Sequence, residues 1–483
     1  MGLKEDSKFA RFITMGALGA QRVADDLAGR GHHIIELERY AMANKIWTTK
    51  VKRLRMADLL CVSCGRRFEA KAKSKLEVKL SDSKQAGRGW SDGMRPDDVF
   101  AFLPVTVDSN NMPLGIGRPL YLATASMNRI TPKQGQLKSA ADGSERDVYW
   151  PITVAKRAGI VTRIQSGKVT VQPPGAKAST LGRPGDQPLV QVGDHVENGT
   201  VLSSTVTPAT NLNCSGATWN LHEAIASNDE VEAFAAVKAA GVLKAEHLVD
   251  PVRAIAHDDE RDMRLRIEAL GSLARLSDPH AVDRLADLDD GDVDAAMQME
   301  RVLLLSELVG SQAATESLLQ IAKGVDYSDE VRAAAVWGLG AAWHDHFGYC
   351  WSFAFDASEK VRRHAQASLG APTQNDLPDL VAALKEVDRA PLAAALLARS
   401  RSVAELAAAL SDDQSHAWAI QSLGQIDPAF VRQKVSQLCA EDQAALDALW
   451  RRNLRDTHNE PTNLTELQFL AGQSLRAPES VRP

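Results

Sequence analysis

The chain has 483 residues, of which 44% are hydrophobic, 5% aromatic and 24% charged, with a formal net charge of -6. At roughly 100–200 residues per domain, two to four domains are expected, and the apolar share excludes global disorder. Five cysteines exclude a disulfide framework and point to a reduced, cytoplasmic protein. With no run of about 18 apolar residues and no signal-like start, neither a membrane span nor export is expected.

Three zones follow in chain order. The first, 8–130, reads as a mixed α/β domain. Apolar residues recur at helical spacing from Phe9 to Leu27 and stop at Gly29 and Gly31, which predicts an amphipathic helix. A β-rich run from His33 to Glu38 comes next, then a basic segment from Lys45 to Arg55. Two strand-like runs, Met56 to Val62 and Arg66 to Val78, flank a Ser63-Cys64-Gly65 turn. Val99 to Val107 and Leu120 to Ala125 complete the expected sheet.

The second zone, 148–212, is rich in Gly, Pro, Val and Thr, with Ser166-Gly167 and Asn198-Gly199 as hairpin turns. The phrase from Val192 to Leu202 resembles the half-repeat of barrel-sandwich hybrid domains, the shape of lipoyl and biotinyl carriers. Lys168 lacks the flanking residues of a modified carrier lysine, so a small β-rich module is expected.

The third zone, 216–480, is helical and repetitive. Arg or His recurs with an apolar residue three positions on and Leu seven positions on, starting at Arg266, Arg301, Arg332, Arg362, Arg389 and His416. Those offsets share one helix face. A period of about 30 residues fits two short helices per unit and resembles HEAT-like repeats, so an all-α solenoid is expected. Trp337, Trp343, His344, His346, Phe347, Tyr349, Cys350 and Trp351 interrupt the third repeat and read as a packed insertion, with a binding pocket on the solenoid surface as the alternative.

Charge divides unevenly. Residues 1–100 carry a net +7, residues 101–215 a net +4 and residues 216–483 a net -17. The stretch 39–88 holds 14 basic and 4 acidic side chains, a field that attracts a polyanion. Within it Arg53, Arg55, Arg66, Arg67, Lys73 and Lys75 are candidate nucleic-acid contacts.

Chemistry is expected in the same stretch. Glu69 and Lys71 alternate onto one strand face, and pairing through the turn brings Asp58 to the same end of the sheet. Two carboxylates and a phosphate can hold Mg²⁺, and the lysine can orient water or neutralise charge on the phosphate. Asp58 followed by Glu69-Ala70-Lys71, on a hairpin after a helix and a strand, resembles the PD-(D/E)XK nuclease superfamily over residues 8–130. That resemblance implies a restriction-endonuclease-like core cleaving DNA. Asp58 and Glu69 would be ligands of Mg²⁺ (or Mn²⁺) and Lys71 the catalytic lysine. Ala57 stands where members often carry proline, and the first helix has no glutamate between residues 16 and 28; Glu36 or Glu38 on the next strand is the available substitute.

Cys61-x-x-Cys64 raises zinc, which needs four ligands in a structural site. Cys214, Cys350 and Cys439 stand alone in sequence, and His32 and His33 are the nearest histidines. The pair therefore reads as strand and turn cysteines beside the hairpin. No P-loop or His-Glu-x-x-His motif occurs. The Gly-x-Ser-x-Gly match around Ser91 lies in a polar stretch and reads as a loop.

The leading expectation is a metal-dependent DNA endonuclease with a helical-repeat arm that binds a protein partner, a second copy, or its own basic domain. The architecture suggests an accessory subunit of a bacterial anti-phage or restriction system. The alternative is a noncatalytic nucleic-acid-binding scaffold or adaptor in which the repeats mediate protein–protein interaction.

Overall fold

Met15, Gly19, Val23 and Leu27 fall four apart along the first helix, α1 (Ser7–Ala28), and so share one face. In the computed structural model that face packs on a sheet, with Met15, Val23 and Leu27 in the core. The structure describes residues 7–37, 56–83, 85, 88–140, 143–216, 219–287, 295–308, 310–340, 347–370, 372–435 and 438–456. The helix ends in a turn with Gly31 at φ +82°, a left-handed position that favours glycine.

Seven strands follow: β1 (Ile34–Glu36), β2 (Leu59–Cys61), β3 (Arg67–Lys73), β4 (Val78–Ser83), β5 (Val99–Val107), β6 (Pro113–Ile116) and β7 (Leu120–Ala123). Six of them form one sheet in the order β1-β2-β3-β5-β6, with β7 also on β5. β3 and β5 run parallel, and every other pair is antiparallel. Strand alternation sorts β3 into two faces. Phe68, Ala70 and Ala72 join the core under α1. There the approach is so close that a Cβ on Gly19 would lie 2.6 Å from Ala72 Cβ.

Glu69 and Lys71 face the other way, level with Phe100 and Phe102 of β5. Those rings pack with Val78, Val148 and Trp150 of a second sheet formed by β4 and the strand Gly143–Trp150. Each buried ring contributes about 1.5–3 kcal/mol of hydrophobic stabilisation.

Between Ile152 and Ser204 the strands are short. The hairpin Gly159–Gln165/Lys168–Gln172 turns at Ser166 (φ 52°) and Gly167 (φ 81°). Its valines, with Val196 and Leu202, form a small separate core.

From Leu221 onward the described elements are helices with one three-residue 3-10 turn. The chain divides into two compact units, the first reaching Arg301 and the second starting at Val302. The recurrent leucines Leu273, Leu308, Leu339, Leu369, Leu396 and Leu423 are all buried. The recurrent cations brace turns. Arg266 pairs with Asp259 of the preceding turn at 2.6 Å. In the second unit Arg332 donates to the Ala322 carbonyl at 3.0 Å and pairs with Asp356 at 2.6 Å. Arg362 donates to the carbonyls of Asp356 and Ala357, and His416 meets Asp442 at 2.9 Å. The sequence signal is thus one apolar stripe plus one clamp per unit. Small residues let helices approach: Gly241 abuts Ser272 in the first unit, and Gly338 abuts Ser306 in the second.

Candidate functional site

Asp58, Glu69 and Lys71 meet at one end of the β2–β3 pair. Asp58 Oδ2 accepts the Ala70 N–H at 2.8 Å, and Glu69 Oε2 accepts the Asp58 N–H at 3.1 Å. The Lys71 ammonium pairs with the other Glu69 oxygen. Backbone donors and one ammonium thus engage both carboxylates and tie the entry of β2 to β3. Beside them Lys73 is half-buried, and burial, then Lys71 and Lys79, hold its ammonium below the usual lysine range.

The expected row of free cations is altered by the fold. Arg67 is corrected: its guanidinium is 1% exposed, forms a two-pronged ion pair with Asp98, and cannot reach a nucleic acid. Arg66 lies over the Phe68 ring and donates to the Asn211 carbonyl at 2.7 Å. Lys75 pairs with Glu77 at 3.1 Å, and Lys79 pairs with Asp147 at 2.9 Å. Asp98 and Asp147 lie outside the stretch whose charge was summed, so counting along the chain overstated the field. Arg53 and Arg55, with Glu38, Trp343, His344 and His346, lie outside the described residues. Of the described residues of the aromatic insertion, Phe347 stacks on Trp351, which meets Phe355 edge-on, while Tyr349 is exposed.

A second cluster forms at the turn between β2 and β3. His32, Cys61, Cys64 and Cys214 bring their ligand atoms within 4.8 Å of one another. Cys61 and Cys64 are strand and turn cysteines as expected, and His32 and Cys214 join them. Cys214 is remote in sequence, yet its Sγ lies 4.0 Å from that of Cys61. Its N–H donates to the Arg30 carbonyl at 3.0 Å, which seats it beside the turn. His32 Nδ1 is 3.7 Å from Cys64 Sγ, while its Nε2 is 2.8 Å from the Leu212 carbonyl. Gly65, at φ +71°, closes the turn under the Trp219 ring. The Cys64 side chain, then His32 and the N–H groups of Cys64 and Ser63, overcome burial and hold the Cys61 thiol below the usual thiol range. Cys61 in turn pushes the Cys64 thiol up. No sequence motif contains all four residues; the one available signal was the Cys-x-x-Cys.

In the second unit a cleft of about 910 Å³ opens beside the helices Glu359–Ser368 and Ala390–Arg399, lined in part by Phe355, Arg362, Glu386, Val387, Asp388 and Arg389. Val387 is 85% exposed there. Arg389 covers the Phe355 ring at 5.2 Å and pairs with Glu386 at 3.3 Å.

No family model matches the chain, and no curated protein matches it. Among solved structures it is similar to human deoxyhypusine hydroxylase in complex with glycerol. That match has 17% identity and TM-score 0.23, and covers 45% of this chain and 99% of the other. It is also similar to the complex of CpcE and CpcF of phycocyanin lyase from Nostoc sp. That match has 18% identity and TM-score 0.23, and covers 47% of this chain and 93% of the other. Both are helical-repeat proteins. The expected membership in the PD-(D/E)XK superfamily, with its nuclease and defence-system readings, is corrected: no family model places the chain there. Asp…Glu-x-Lys is short enough to arise by chance, and here its carboxylates have structural partners. The chain is a multidomain protein with β-rich sheets and a helical-repeat region. Among the described residues no helix is long and apolar enough to cross a membrane.

Proposed function

We propose that the chain is a scaffold or adaptor whose helical-repeat region binds a protein partner. The observation that carries this reading is the open cleft in the second unit, whose residues 302–469 hold 22 acidic and 14 basic side chains, a net charge of -8. A cleft whose lining combines apolar side chains with charged ones has the apolar-centre, polar-rim make-up of an interaction site. Arg362 and Arg389 are occupied by backbone carbonyls, Glu386 and the Phe355 ring. The acidic surroundings then favour a partner segment that is apolar with basic flanks. The test recovers tagged full-length chain and its Val387→Asp variant from native cells, with sedimentation of both. A defined protein, or a second copy, retained by the wild type and lost from Val387→Asp supports the reading. A wild type that sediments as a monomer and retains the same proteins as Val387→Asp contradicts it.

A narrower reading concerns the meeting of Asp58 and Glu69. Two adjoining carboxylates suit a hard divalent cation such as Mg²⁺ or Mn²⁺, with Lys71 swinging away from Glu69 to admit it. Calorimetric titration of Mn²⁺ into the full chain and into Glu69→Gln tests this: heat lost in Glu69→Gln supports the site, and no heat in either assigns the trio to strand pairing alone.

A further inference from the structure

His32, Cys61, Cys64 and Cys214 come from four places: the loop after α1, the end of β2, the turn after it, and the segment that leads toward the helices. Tetrahedral zinc, with Zn–S near 2.3 Å and Zn–N near 2.0–2.1 Å, sets its ligand atoms about 3.4–3.8 Å apart. The Cys61–Cys214 edge is 4.0 Å and the His32–Cys64 edge 3.7 Å. All the ligand atoms fall within 4.8 Å of one another, the dimension of one ion and too tight for a multi-iron cluster. The imidazole is oriented as a ligand. Its Nε2–H donates to the Leu212 carbonyl at 2.8 Å, so the Nδ1 lone pair points at the sulfurs. His32 and Cys61 are buried, which excludes water from a coordination position. We propose that these four residues bind one zinc ion in a closed Cys₃His structural site. The site fastens the segment around Cys214 to the α1–β1–β2 end of the first domain.

Three contacts bring that segment to the site independently of any ion. Cys214 N–H donates to Arg30, Trp219 N–H donates to the Ser63 carbonyl at 2.9 Å, and Arg66 donates to Asn211. Four protein ligands leave no open position, so the ion braces the structure and performs no chemistry. Binding releases the proton of each coordinating cysteine that is still a thiol in the empty site.

The test is metal analysis of the full chain, purified without chelator, by plasma mass spectrometry. One zinc per chain is expected, falling at least tenfold in Cys64→Ser and Cys214→Ser and unchanged in Cys439→Ser. Cobalt exchanged into the wild-type chain keeps the test independent of whether the variants fold. Tetrahedral visible bands with an intense sulfur-to-cobalt transition are expected. Wild-type protein with under a tenth of an equivalent of zinc, with iron in its place, or with an octahedral cobalt spectrum overturns the proposal. So does zinc retained in Cys64→Ser and Cys214→Ser.

Discussion

Cys61 and Cys214 are separated by 153 positions in the chain and by 4.0 Å between their sulfurs. The proposed zinc, closing so long a loop, would remove unfolded-state entropy worth on the order of 4–5 kcal/mol. The segment that carries Cys214 is anchored at Tyr121, Arg30 and Ser63 by backbone hydrogen bonds. The same turn lies between β2 and β3, the strands whose ends carry Asp58 and Glu69.

The Arg67–Asp98 pair is expected to dominate the local energetics. Both side chains are at most 1% exposed, and Asp98 also accepts the Arg95 N–H at 2.6 Å. Asp98→Ala leaves a buried guanidinium without its counter-charge, a loss of about 3–5 kcal/mol. Denaturant unfolding checks this. The double variant Arg67→Met/Asp98→Leu is expected to unfold at higher denaturant than Asp98→Ala alone.

Gly19→Ala is expected to destabilise despite a gain in helix propensity of up to about 1 kcal/mol. The added Cβ meets Ala72 at 2.6 Å, so α1 must lift off β3, and overpacking of this kind costs about 1–3 kcal/mol. A thermal midpoint that rises instead would show that α1 moves freely there.

The α/β elements were legible because their signals are local. The α1 stripe, the β2–β3 hairpin and the long apolar β5 each declare themselves within about ten residues. The repeats were legible because one clamp residue and one leucine recur at fixed offsets. The metal-ligand cluster was not, because Cys214 and His32 join Cys61 and Cys64 only through tertiary structure. The charge of the 39–88 stretch misled for the same reason, since Asp98 and Asp147 reach it from outside. The Asp58–Glu69–Lys71 convergence was foreseen from strand alternation, yet convergence does not assign a reaction.

In the second unit His364 makes stability depend on pH. Burial, with Arg363 assisting and Glu330 opposing, pushes its imidazole from 6.5 down to about 4. The folded pKa lies below the unfolded one, so the unfolded chain binds the proton first. Stability is full above about pH 6.5 and is lost as pH falls toward 4, by up to about 3 kcal/mol. His364→Leu is expected to flatten that slope in denaturant midpoints measured from pH 7 to 4.5.

Gly338→Ala tests the close helix packing of the second unit. The new methyl meets Ser306 Cβ at 2.9 Å and the Ser306 hydroxyl closer still. A cost of about 1–3 kcal/mol is expected. Ser306→Gly in the same chain should recover part of it, as a double-mutant cycle would measure.

The central claim is a closed metal site at the β2–β3 turn, and X-ray absorption at the zinc edge on the full-length protein tests it most directly. The expected spectrum fits three sulfurs at about 2.3 Å and one nitrogen at about 2.0–2.1 Å. A shell dominated by oxygen, or a protein carrying no zinc to measure, would contradict it.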